Sequence, residues 1–123
     1  MQHDYRHVVA TYANVRPDRQ RGGWARLLEQ VLALGQGHAE LMRHAERPWA
    51  SATFCGSRHT VEITFAGEAG IAAGEELIAG IADHEFDLPG QIVADASVTR
   101  AQHALLPAPA LAVEIELLLL EDI

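Results

Sequence analysis

From Leu111 to Leu120 the side chains sort strictly by parity: Leu111, Val113, Ile115, Leu117 and Leu119 alternate with Ala112, Glu114, Glu116, Leu118 and Leu120. A repeat of two belongs to a β-strand, whose successive side chains point to opposite sides. One side here is wholly aliphatic and the other carries both glutamates, so the segment predicts a strand with one buried and one wet face. Such a strand needs neighbours to pair with and a layer to cover its apolar side.

The alternation recurs in Trp49–Cys55 and Arg58–Phe65, which flank Gly56-Ser57. A two-residue loop beginning with Gly suits a type II′ hairpin turn. Pairing outward from it sets Cys55 opposite Arg58, Phe54 opposite His59, Ala52 opposite Val61 and Ala50 opposite Ile63. One face then carries Ala50, Ala52, Phe54, His59, Val61, Ile63 and Phe65; the other carries Trp49, Ser51, Thr53, Cys55, Arg58, Thr60, Glu62 and Thr64. Residues 91–100 predict a further strand, with Ile92, Ala94, Ala96 and Val98 inward and Val93, Asp95, Ser97 and Thr99 outward.

Between these segments the spacing turns helical. Trp24, Leu27, Leu28, Val31 and Leu32 recur at three and four, the spacing of one helix face. Gly35 and Gly37 interrupt it, His38, Leu41, Met42 and Ala45 resume it, and Pro48 stops it. One bent helix or two short ones fit. Residues 70–83 predict a second helical segment with the stripe Ile71, Leu77, Ile78 and Ile81. Its Gly74 and Gly80 weaken the helix but permit close approach to a sheet. His84 to Leu88 form a connector or short edge strand, Pro89-Gly90 marks a turn, and a loop with Pro107 and Pro109 precedes the last strand.

The expected fold class is therefore α+β, with two helical segments packed on one face of a mostly antiparallel sheet of four or five strands. Residues 6–15 decide the topology. If they pair, the order β-α-β-β-α-β-β is a ferredoxin-like plait with an added strand; if not, α-β-β occurs twice, as in a duplication. A chain of 123 residues predicts a single domain over 1–123, with 1–21 as an N-terminal strand or arm.

Composition narrows the setting. Cys55 is the sole cysteine, which excludes an internal disulfide and a cysteine zinc site within one chain, and suits a reducing compartment. Residues 1–21 lack the apolar core and small-residue cleavage site of a secretory signal. The greasiest stretch, 111–120, is far short of the ~20 residues a membrane helix needs. The expectation is a cytoplasmic protein with no membrane partner. The formal charge is −8, unevenly spread: residues 1–58 hold eight arginines against five acids, residues 59–123 one against twelve. An acidic body repels phosphate backbones, so no nucleic-acid partner is expected. Arg16, Arg19 and Arg21, with Arg26 nearby, are the candidate anion-binding residues, although a solvated arm explains them equally.

For chemistry, the histidines matter most. His38, Glu40 and His44 are close in sequence, but on a helix His38 and His44 stand roughly 240° apart, and only Glu40 and His44 share a side. The His-Glu-x-x-His spacing is absent, and the expectation is no metal and no cofactor. His59, on the core face, and His38 are the two candidate acids or bases, serving a pocket between helix and sheet near Tyr12 and Trp24. Ser57 near His59 lacks the Gly-x-Ser-x-Gly setting of a nucleophile elbow. Cys55 beside Arg58 is a thiol near a cation, and Glu114 with Glu116 are paired carboxylates that a solvated strand face also explains. The glycines match neither phosphate-binding pattern. On the outward face, Trp49, Leu118 and Leu120 are the candidate interface. The leading expectation is a non-enzymatic domain that forms a homo-oligomer through this face or the edge of the last strand, or binds a protein partner. The alternative is a small-molecule-binding protein or enzyme using His59 or His38.

Overall fold

The computed structural model describes the backbone of residues 18–121 and the side chains of 24–121. Residues 6–15, and Tyr12 with them, lie outside the described residues. The elements run α1 (Asp18–Leu34), β1 (Ala39–Ala50), β2 (Cys55–Ala66), α2 (Gly67–Gly80), a 3-10 turn (Ile81–Asp83), β3 (Gln91–Ala104) and β4 (Ala110–Glu121). The strands form one four-stranded sheet in the order β1-β2-β4-β3, and every neighbouring pair is antiparallel. The α+β class, the two helices and the antiparallel sheet are thus as the alternation predicts. No helix among the described residues is long and apolar enough to cross a membrane.

The first helix is shorter than its spacing suggests. It ends at Leu34, and Gln36 (φ 58°) and Gly37 (φ 82°) turn the chain through the left-handed region, as helix C-termini commonly do. His38 to Pro48, expected as helix, instead leads into and forms β1. Leu41, Met42 and Ala45 mimic helical spacing because β1 is bulged between Leu41 and Arg43, which breaks its alternation.

The hairpin is also longer than expected. Its loop is 51–54, closed by the Ser51 N–H donating to the Phe54 carbonyl and the Phe54 N–H donating to Ser51 Oγ. Gly56 and Ser57 are strand residues opposite Trp49 and Pro48, and His59 faces Glu46 rather than Phe54. Ala50, Ala52 and Phe54, expected in the core, are exposed. The parity of β2 itself holds: Val61, Ile63 and Phe65 are buried, as are Leu111, Val113, Ile115, Leu117 and Leu119 on β4.

On β3, bulges between Val93 and Asp95 and between Val98 and Arg100 shift the register twice. Val93 therefore pairs with buried Leu119 on the inner side, while Ile92 pairs with Leu120 on the outer side and is 53% exposed. That reverses the expected orientation of both and leaves Ala94 exposed. The last strand is not an edge: β4 pairs with β2 on one side and β3 on the other. An interface along its edge is thereby excluded.

Both helices lie on the inner face. Leu27, Leu28 and Val31 of α1 and Ala73 and Leu77 of α2, with Ile81 of the 3-10 turn, join the odd-numbered side chains of β2 and β4 in one core. Gly74 marks the closest approach: a Cβ there would sit 2.7 Å from Phe65 Cδ1 and 2.8 Å from Leu111 Cδ2. Gln30 ties α1 to the 84–90 connector, donating to the Asp87 carbonyl and accepting from its N–H.

Candidate functional site

Toward the hairpin end of the inner face, aliphatic side chains give way to polar ones. The antiparallel register places His44 opposite Val61, Glu46 opposite His59 and Pro48 opposite Ser57. His44, Ser57 and His59 are 1%, 3% and 0% exposed, and the Glu46 side chain is 4% exposed. From α1 the Trp24 ring closes over His44, with centroids 4.8 Å apart. Trp24 Nε1 is buried and has no hydrogen-bond partner among the described residues.

These groups are joined in a chain. His44 Nε2 and His59 Nδ1 share a hydrogen bond at 2.8 Å, the rings lying within 6° of parallel. Across the His59 ring, Nε2 is 2.9 Å from Ser57 Oγ and 3.6 Å from Glu46 Oε2. One donor atom each from His44, Glu46 and His59 lie mutually within 4.8 Å. Two side chains from each of two adjacent strands thus converge, each fixed by the pleat. Buried polar groups must satisfy one another, so such a cluster is either fully connected or costly.

Of the two histidines singled out from sequence, the structure brings His59 into this cluster next to Trp24. His38 does not join it: it is exposed in the segment before β1. His44 and Glu46 are the members that sequence reasoning misses. The pairing of β1 with His59 would have revealed them, but that pairing depends on the true hairpin loop.

The outer face has a different character, and no described element covers it. A row of cross-strand pairs runs Arg43–Glu62–Glu114–Arg100 across the whole sheet. Arg43 is 3.3 Å from Glu62 and 3.7 Å from Glu114; Arg100 is 2.9 Å and 3.9 Å from the same two carboxylates. Two adjacent glutamates on the central strands are thereby balanced from both edges, and the row is neutral. Arg58 and Glu116 add a further pair at 3.5 Å. Two clefts flank this network, one of about 260 Å³ between Arg47, Arg58 and Glu116 and one of about 220 Å³ between Met42, Thr64 and Arg100. Both are smaller than the roughly 300–1,000 Å³ of a typical small-molecule pocket.

Nearer the hairpin loop the same face turns apolar. Trp49 pairs with Gly56, Gly56 with Leu120, and Leu120 with Ile92, while Leu118 lies one row in, between Arg58 and Asp95. Trp49, Leu118 and Leu120 are half-buried, and Phe54 in the adjoining loop is 52% exposed. Cys55 is exposed at the start of β2. Arg16 lies outside the described residues, and Arg19 and Arg21 precede the first described side chain of α1. Compared with protein-family models, curated proteins and solved structures, the chain matches none.

Proposed function

We propose that the chain is a small, non-enzymatic, cytoplasmic domain that self-associates, its apolar outer-face end meeting the same end of a second copy. One observation carries this reading. All four strands contribute to the row Trp49, Gly56, Leu120 and Ile92, which holds no charged residue. Apolar patches of this kind on an otherwise charged sheet mark association sites. The Arg-Glu-Glu-Arg row beside it is already neutralised within the chain, so it calls for no charged partner. A net charge of −8 repels a second copy at long range, and salt screens that repulsion. Association is therefore expected to strengthen as ionic strength rises. Light scattering at micromolar concentration tests the reading: the expected mass is that of a dimer, and Trp49→Glu or Leu120→Glu returns it to monomer with unchanged circular dichroism. A monomeric mass for the parent chain at high salt would refute it.

The same reading treats the chain as a duplicated α-β-β unit. Arg43 and Arg100 each follow an edge-strand bulge, and each pairs with a central-strand glutamate, Glu62 or Glu114, which are themselves partners. Such a duplication would set an approximate two-fold axis through the Glu62–Glu114 pair.

A second reading rests on the order Ser57–His59–His44, which is that of a nucleophile, a base and a group orienting the base. Against it, each of the three is almost fully buried, so a substrate could not reach Ser57 Oγ without an opening beside the cluster. Labelling of Ser57 by a fluorophosphonate, lost in His59→Asn, would establish this reading; an unlabelled folded chain would dismiss it.

A further inference from the structure

We propose that His44, Glu46 and His59 bind one divalent transition-metal ion of the zinc type. Three features of the cluster point to it. The donor set, two imidazoles and a carboxylate, is one that such ions favour, and it leaves a fourth position open. The donors come from adjacent, paired strands and lie mutually within 4.8 Å; around a tetrahedral ion bound at ~2.0–2.1 Å donors stand ~3.3 Å apart, so the widest separation closes and the His44–His59 contact opens by about 0.5 Å. The third feature is the 2.8 Å contact between His44 Nε2 and His59 Nδ1, which aims two imidazole nitrogens at each other.

A single hydrogen occupies the space between those nitrogens. An ion entering there accepts both lone pairs, and the ring that had been the donor carries its proton on its other nitrogen. For His59 that nitrogen already has a receiver: Nε2 is 2.9 Å from Ser57 Oγ. Ser57 would then hold the ring of a metal ligand from behind, as outer partners of histidine ligands commonly do. Glu46 completes the donor set: its Oε2 lies 3.6 Å from Nε2 of the same ring, so the carboxylate must turn past the ring edge to reach an ion on the Nδ1 side, where its charge offsets the buried cation. Trp24 over His44 shields the centre from water on the α1 side.

The test uses the full chain without an affinity tag, stripped with a chelator and titrated with Zn²⁺ or Co²⁺. The expected result is one ion per chain by native mass spectrometry, a rise in melting temperature, and imidazole ¹⁵N shifts confined to His44 and His59. Glu46→Gln and His59→Asn are expected to weaken binding at least tenfold, and Ser57→Ala by about 10- to 100-fold. Replacing exposed His38 and His103 together should change nothing. The wild-type ¹⁵N spectrum keeps the proposal falsifiable even if a cluster variant fails to fold. Shifts at other histidines, no bound ion at molar excess, or full affinity in folded Glu46→Gln would overturn it.

Discussion

Gly74 and Gly80 lie in the same helix, yet substitution should act on them in opposite directions. A methyl at Gly74 would press on Phe65 and Leu111, which are 0% and 1% exposed and have no room to yield. Overpacking of that kind costs about 1–3 kcal/mol, so Gly74→Ala should lower the urea midpoint at unchanged slope. At Gly80 an added Cβ meets nothing within 4 Å. There alanine stiffens the unfolded chain and favours helix, and Gly80→Ala should gain up to ~1 kcal/mol in the same measurement. Phe65, packed against α2 at Gly70 and Gly74 and against Gly35 just past the end of α1, is the side chain whose truncation to alanine should be among the costliest, about 3–5 kcal/mol.

At the scale of elements, the outer row offers a test of coupling. Arg100 is 57% exposed, so its separate contribution is small after solvent screening. Removing Arg43 and Arg100 together leaves Glu62 and Glu114 facing each other without compensation. A double-mutant cycle of Arg43→Ala and Arg100→Ala should therefore show a loss greater than additive, and Glu62→Gln should restore part of it. Elements also show what the sequence could convey. The pattern of β4 was legible because β4 itself carries no bulge, the irregularities of its pairing with β3 lying on β3, and because its two faces differ sharply in polarity. The same holds for β2 from Val61 to Phe65 and for the stripe of α2. The strand β1 was illegible for two reasons. Its bulge beside Met42 breaks the alternation, and its inner residues past the bulge, His44 and Glu46, are polar because the side chains of both meet the His59 ring. A strand with polar residues on both sides carries no hydrophobic period. The cluster was hidden with it: His59 could be placed on the core face, but its partners follow from a register that Gly56-Ser57 misdirected.

For the whole molecule, the order β1-β2-β4-β3 places β2 and β4 centrally, each flanked on both sides. Their amides at 57–65 and 111–119 should be the slowest to exchange with deuterium, with rates near global unfolding. Amides in the 105–109 loop, where Leu105 and Leu106 are 77% and 84% exposed, should exchange first. Uniform protection across all four strands would contradict this layering. The bulges of the outer strands have a consequence for assembly. A flat strand with free backbone groups invites an unlimited stack of copies, each adding its own strand to the last. Here β1 kinks beside Arg43 and carries Pro48, and β3 kinks twice before Arg100. Ladders started on either outer strand would be forced out of step within a few residues. Concentrated solutions should therefore remain clear of fibrils, and straightening β3 by deleting both extra residues, Ala94 and Thr99, should make the chain bind thioflavin.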